Sequence, residues 1–290
     1  MAQQMTKEES VRRKQQSINS VITVILSIIC VIWMYPILLI VFNSLKVESA
    51  ISTNRIFELP IGNAFNGFRN FIYGVTKMDF MSSFWYSLFI TVSSVALIIL
   101  CCSMCAWYIS RVTSKFSSAV YYLCVFSMVV PFQMVMFTLS KTADTLKLNT
   151  PYNICVIYLG FGAGLAVFMF TGFVKQIPIE IEEAAMIDGC TPIQTYFRII
   201  LPIMKPTLIT VAILDAMWIW NDYLLPSLVL NINKYKTIPI AVQFLKQSHG
   251  QVDWGAMMAV LVMAIVPIVV FYMAVQKYII EGVVAGAVKG

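Results

Sequence analysis

The chain has 290 residues, of which 12% are charged and 59% hydrophobic, with a net charge of +6 and a mean hydropathy of +0.81. A soluble domain of this length carries about 25% charge, so the excess apolar surface must face lipid and a soluble globular enzyme is excluded. The net charge by itself points to no nucleic acid and to no other particular partner.

Lys7, Arg12, Arg13 and Lys14 precede a first apolar run over 18–42. A signal peptide begins in the same way, but its core is shorter and a small-residue cleavage site follows it. Neither holds here, so the run reads as a retained helix. Further runs follow over 84–109, 119–140, 152–174, 203–225 and 256–276. Each approaches or exceeds the roughly 20 residues that cross about 30 Å of hydrocarbon. Continuous apolar runs, rather than ten-residue alternation, select helices over a barrel. The expected fold is an all-α polytopic membrane protein with six transmembrane helices. The expected division is a tail at 1–17, a membrane domain at 18–280 with a polar loop at 175–205, and a tail at 281–290.

An even number of spans puts both tails on one side. Lys7, Arg12, Arg13, Lys14, Arg111, Lys115, Lys175, Arg198, Lys205, Lys277 and Lys289 then share that side, and the other nine of the 20 Lys and Arg lie opposite. Lys7, Arg12, Arg13 and Lys14, all of the first group, crowd into the first 17 residues. Dense positive charge beside the first span sets orientation, so both tails are expected in the cytoplasm.

Six of the seven cysteines fall inside the runs. "CCSMC" (101–105) in an apolar helix reads as small packing residues rather than a metal cluster. "GFGAG" (160–164) contains Gly160 and Gly164 at the spacing that lets another membrane helix approach. A nucleotide-binding glycine loop would need a strand before it. There is no P-loop, His249 is the single histidine, and no nucleophile–base set is recognisable. The chain is not expected to be an enzyme.

The stretch "IPIEIEEAAMIDGCTPIQTYFRIILPIMKP" is the polar exception between two apolar runs. Pro178 suits a first helical position, and Glu180, Glu182 and Glu183 complement the dipole of a first turn. Gly189 is placed to end that helix at positive φ. Thr191 and Gln194 form a capping-box pattern around Pro192, and Pro202 and Pro206 bend the chain into the next run. Ile181, Ala184, Ala185 and Asp188 share one helical face, and Ile179, Glu183, Met186 and Ile187 lie around the other. Ile193, Tyr196, Phe197 and Ile200 make an apolar stripe on the second helix. Such a bent pair either caps its own bundle or docks on another surface.

The order Glu183-Ala184-Ala185, Asp188-Gly189, then Ile199-x-Leu201-Pro202 resembles the "EAA" cytoplasmic loop of importer-type ABC transporter permeases. "WNDYLLP" (220–226), "VVPFQMVMFTL" (129–139) and the terminal "QKYIIEGVVAGAVKG" (276–290) resemble the carbohydrate-uptake branch related to the second maltose permease subunit. The resemblance implies a bacterial inner-membrane subunit with no cofactor of its own. It implies three kinds of partner: a second, paralogous permease, an ATPase dimer that uses ATP and Mg, and a sugar-binding protein outside. It further implies that Glu183, Ala184, Ala185, Met186, Ile187, Asp188, Gly189, Phe197 and Pro202 form a coupling-helix hairpin docked on the ATPase. In the tail, Ala285, Gly286, Ala287 and Lys289 would reach the same ATPase as an extended segment. An exposed ion pair at Glu183 is worth only about 0–1 kcal/mol. Burial of Met186, Ile187 or Phe197 is worth about 1.5–3 kcal/mol each. The apolar side chains are therefore expected to supply affinity and Glu183 the register.

Asp215, mid-span, costs about 2.5–3.5 kcal/mol to insert and is expected to face the bundle or a wet cavity. Asp215, Trp218 and Asp222 share a helical face, and with Asn221 and Gln133 they are the candidates for a sugar pathway. Trp220 and Tyr223 read rather as an interfacial aromatic belt. A permease for a non-sugar solute and an ATPase-independent secondary transporter remain the alternative functions. The absence of a recognisable internal repeat weighs against the latter.

Overall fold

In this computed structural model the backbone is described for residues 2–53, 56–77, 79–247 and 253–287, and side chains for 15–53, 56–77, 79–243 and 253–278. Among the described residues the regular structure is helical, with one isolated bridge between Lys46 and Phe65. The chain divides into two compact units, Met1–Gly74 with Gln251–Met263, and Val75–Gly250 with Ala264–Gly290.

The first unit opens with α1 (Ala2–Ser44). It runs unbroken across residue 17, so no structural boundary separates the expected tail from the span. Val21, Leu26, Val31 and Trp33 are all exposed on it, and a helix that is apolar all round is a membrane element rather than a surface helix. In the described part of the 43–74 segment, polar contacts gather around α2 (Glu48–Ser52) and the start of α3 (Arg69–Lys77). Buried Asn70 donates to the carbonyls of Ser44 (2.9 Å) and Lys46 (2.7 Å), and accepts from Asn66 at 2.7 Å. The Lys46 ammonium, fully buried, donates to Asn43 Oδ1 (3.0 Å) and to the Ile56 carbonyl (3.2 Å). Glu48 accepts from the Gly255 amide at 3.0 Å. A Cβ on Gly74 would stand 2.7 Å from Val260, so only glycine allows that approach.

The second unit is built on α4 (Phe80–Arg111), α5 (Lys115–Ser127), α6 (Phe132–Thr145) and α7 (Ile154–Val174). The hairpin follows as α8 (Glu180–Ile187), α9 (Pro192–Thr195), a π-helical turn (Tyr196–Ile200) and α10 (Leu201–Ile203). Then come α11 (Lys205–Asn221), α12 (Leu224–Val229) and α13 (Ile238–Gln247). The later part of α14 (Trp254–Ala287), which contains Pro267, completes the unit. Its core joins Ile90, Ile98 and Ala106 of α4 to Ala166, Phe170 and Val174 of α7, with Val211 and Ile219 of α11. A Cβ on Gly162 would meet Ile98 at 2.6 Å, and one on Gly164 would meet the Cys124 carbonyl of α5 at 2.7 Å, whereas Gly160 has nothing within 4 Å. Close helix approach therefore uses Gly162 and Gly164, not the Gly160–Gly164 pair.

One expected span is broken and another is shortened. The 119–140 run divides into α5 and α6, bent by 106°. Pro131 caps α6, brings no N–H, and holds the residue before it out of the helical region. The 192–203 segment of the hairpin meets 205–221 at 75°, the bend expected beside Pro202 and Pro206, and α11 ends at Asn221, short of residue 225. Among the described residues, four helices are long and apolar enough to cross a membrane, or up to six if each bent pair is one span.

Candidate functional site

The hairpin forms much as its punctuation directs. Ile179 caps α8, so Pro178 stands just outside the helix rather than at its first position. Gly189 has φ +82°. The Gly189 amide donates to the Met186 carbonyl and the Cys190 amide to the Ala185 carbonyl, both at 3.0 Å. This is the left-handed termination that glycine permits. Thr191 and Gln194 complete the reciprocal capping box, with bonds of 2.8 and 3.3 Å. The π-helical turn was not foreseen. Pro202 has no N–H to offer Arg198, and the chain widens just before it, with Leu201 bonding back to Tyr196.

The inner face is fastened to the end of α4. Glu182, only 2% exposed, accepts from Arg111 Nε at 2.7 Å and from Trp107 Nε1 at 3.0 Å. Arg111 also donates through Nη2 to the Ile177 carbonyl at 2.9 Å. Tyr196 is buried, its hydroxyl 2.6 Å from Ser103 Oγ and its ring 5.5 Å from that of Trp107. Ser103 in turn bonds to the Ile99 carbonyl. On α8 the buried pair is Glu182 and Ala185, while Ile181, Ala184 and Asp188 of the expected face are exposed. The stripe on the second helix also splits, with Tyr196 and Ile200 buried, Ile193 and Phe197 exposed. The outer face thus presents Met186, Ile187 (86% exposed), Ile193 and Phe197, with Glu183, Asp188, Gly189 and Pro202 also exposed.

The pathway candidates are not gathered as the helical register suggested. Asp215 is buried, and its Oδ2 has no hydrogen-bond partner. Trp218 lies edge-on to Tyr158 at 5.5 Å. Asp222 leaves the helix, with ψ 120°. Its carboxylate accepts from the Tyr158 hydroxyl (3.0 Å) and from the amides of Leu224 (2.9 Å) and Leu225 (3.3 Å), so it caps α12. Asn221 is exposed and donates to the Met217 carbonyl at 2.7 Å, and Gln133 is exposed in the first turn of α6. A cavity of about 400 Å³ between α4, α11 and α14 is lined by Val92, Ala212, Met217 and Phe271, with Thr91 and Trp220 its polar groups. Its walls do not match the many hydroxyls of a sugar. Trp220 packs its ring against Phe84 there, at 6.0 Å.

A family model described as "Binding-protein-dependent transport system inner membrane component" matches residues 99–284. The chain belongs to this family. This inner-membrane component is 37% identical, over 90% of its length and 94% of the relative's, to the probable starch degradation products transport system permease protein AmyC of Thermoanaerobacterium thermosulfurigenes. It is 32% identical, over 92% and 95%, to the multiple sugar-binding transport system permease protein MsmG of Streptococcus mutans. Its fold matches that of a bacterial ABC transporter involved in the import of the acidic polysaccharide alginate, with a TM-score of 0.76 at 23% identity over 92% of this chain and 98% of the other. The permease is thus a multi-pass component of the membrane, and the family is one of transport components.

The matched segment holds the whole hairpin and its anchors on α4. Of the terminal residues, Ala285, Gly286 and Ala287 continue α14 as helix rather than an extended segment, and Lys289, like His249, lies outside the described residues. The anchor residues Glu182, Arg111, Trp107 and Tyr196 were missed as a group. The available signal was Trp107 and Arg111, one turn apart at the polar end of an apolar run, with an acid cluster following the second run after it.

Proposed function

We propose that this permease is one of two membrane-spanning subunits of an ATP-driven importer of oligosaccharides, and that its 175–205 hairpin takes up the stroke of a partner ATPase dimer. The observation that carries this reading is the two-faced hairpin. One face is bolted to α4 through Glu182 and Tyr196, and the other leaves Met186, Ile187 and Phe197 in the open. An exposed apolar patch on a rigid arm fits a docking surface, and Glu183 beside it fits the register role. In this reading α5 with α6 makes one span and α11 another, giving six with the four long helices, both tails are cytoplasmic, and ATP and Mg belong to the partner ATPases. The sugar class is supported by the relatives named for starch products and multiple sugars. The binding-protein partner is supported by the family description. Of the pathway candidates, Asp215 and Trp218 remain on the helix as proposed contacts, while Asp222 has a capping duty that competes with sugar binding. A part for Ala285, Gly286, Ala287 and Lys289 against the ATPase is retained as a proposal, with the first three presented on a helix.

The test is Ile187→Asp in the reconstituted transporter. The side chain is 86% exposed, so insertion and folding should be unchanged. ATPase co-purification and uptake of labelled maltooligosaccharide should fall by at least tenfold, since burial of one such side chain is worth about 1.5–3 kcal/mol. Normal uptake by the variant would refute the docking surface. Uptake of a labelled amino acid in place of any sugar would refute the substrate class.

A further inference from the structure

The 56–68 segment, between α2 and α3, carries one acid, Glu58, and no base. Phe57, Leu59, Ile61, Phe65 and Phe68 recur along it at every second to fourth residue, and each is more than half exposed. Single exposed apolar side chains are ordinary on any protein, but a succession of large ones marks a surface that meets something other than water.

The depth of this segment follows from α1. The Phe57 ring lies parallel to that of Tyr35, with centroids 6.4 Å apart. Tyr35 stands nine residues before the end of α1 at Ser44, about 13 Å back along the helix axis. A hydrocarbon layer of about 30 Å centred on the 18–42 run covers about residues 20–40, so Phe57 meets α1 roughly 7 Å inside that layer rather than above it.

The inner side of the segment is satisfied within the chain. The Ile56 carbonyl accepts from Asn43 Nδ2 at 3.0 Å and from the Lys46 ammonium at 3.2 Å. The Val47 amide donates to the Ala64 carbonyl (3.0 Å), the Asn66 amide to the Leu45 carbonyl (2.8 Å) and the Ile61 amide to the Leu59 carbonyl (2.9 Å). Pro60 brings no N–H, and the Glu58 charge acts on the Lys46 ammonium. Irregular backbone is tolerated at membrane depth only where its polar groups are met in this way. The segment also sits at the start of a second apolar run, because a Cβ on Gly255 of α14 would meet the Asn70 amide nitrogen at 2.7 Å. Trp254 beside it is exposed, as befits a residue at a membrane surface.

We propose that 56–68 is an interfacial segment seated in the headgroup layer of the bilayer, with Phe57, Ile61 and Phe68 among the lipid chains and exposed Arg69 at the level of the phosphates. Its occupant is lipid because the Phe57–Tyr35 stack makes it continuous with the apolar surface of α1. A soluble protein docked there would give Phe57 no reason to turn back along the span. That the leaflet is the outer one rests on the orientation in the function proposed above, and the lipid contact does not.

The test uses the full transporter in nanodiscs of phosphatidylcholine and phosphatidylglycerol, with the binding protein added. The photo-crosslinking residue p-benzoylphenylalanine is placed singly at Ile61 and at Phe68, both exposed positions, and adducts are identified by mass spectrometry. Lipid adducts should outnumber protein adducts by about tenfold or more at both positions, since burial of one such side chain is worth a factor of that order. Phe57→Asp, which puts a charge where the segment meets Tyr35, should reduce the lipid yield at Ile61 while the subunits still co-purify. Adducts with the binding protein in place of lipid, no lipid adduct at either position, or an Ile61 yield unmoved by Phe57→Asp overturns the proposal. Sugar uptake, scored before irradiation, distinguishes that failure from failure of the transport assignment.

Discussion

Glu182→Ala is the most informative perturbation. It strands the Arg111 guanidinium, whose side chain is 17% exposed, and removes the acceptor of the Trp107 indole. Breaking a buried ion pair from one side costs about 3–5 kcal/mol. Arg111 keeps the Ile177 carbonyl at 2.9 Å and some contact with water, which places the cost near the lower end, at about 3 kcal/mol. That cost falls on the α4–α8 junction rather than on the whole fold, because Ala185, Tyr196 and Ile200 still anchor the hairpin. Hydrogen exchange at the amides of Asp188, Gly189 and Cys190, which close the end of α8, should speed up by roughly a hundredfold at 1.4 kcal/mol per decade. On the proposed docking, sugar-stimulated ATP turnover in the full transporter should persist while uptake falls, because the outer face of the arm is unchanged while its fastening to α4 is lost. Glu182→Gln, which keeps one of the two acceptor oxygens and puts an NH2 donor in place of the other, should lie between. Arg111→Ala added to Glu182→Ala should recover part of the protection, since no charge is then stranded. If exchange at these amides and the coupling ratio match the wild type in Glu182→Ala, the junction is not what transmits the motion.

Gly189→Ala should cost about 1–2 kcal/mol in thermal stability of the hairpin, and Gly189→Val more. Nothing lies within 4 Å of an added Cβ, so the cost comes from φ +82° alone and Gly189→Asn should be milder. Gly164→Ala should destabilise the detergent-solubilised protein by about 1–3 kcal/mol, because the Cβ would meet a backbone carbonyl of α5 at 2.7 Å. Gly160→Ala, facing open space, should leave the melting temperature unchanged, and the reverse order would contradict the packing of α7. Burial raises the Glu48 carboxyl above its ordinary value of 4.5, with Asp253 adding to the rise and the amides of Gly255 and Trp254 opposing it. The folded state therefore binds more protons, and Glu48 contributes stability that is fully present below about pH 4.5 and lost as pH rises through the raised value. The melting temperature of the wild type minus that of Glu48→Gln should accordingly grow on acidification, and a difference that shrinks would reverse the assigned cause.

Part of the site was legible because its determinants are local. The capping box at Thr191 and Gln194, the positive φ at Gly189 and the apolar run over 152–174 depend on residues within a few positions of one another, so residue order alone decided them. Glu182 was not legible in the same way. Glu180, Glu182 and Glu183 are equivalent as first-turn acids, and only the position of Arg111, 71 residues earlier in the chain, selects which of them is buried and which stays at the surface. The same holds for Asp222, read as one face of a helix with Asp215 until the break after Asn221 turned it into a cap held by Tyr158. Sequence by itself determined that the chain is helical, lives in lipid and carries one polar hairpin, because apolar run length and turn chemistry are properties of neighbouring residues. Tertiary structure alone decided which face of the hairpin is fastened and which is free, because a charge is buried only where a distant part of the chain supplies its counter-charge.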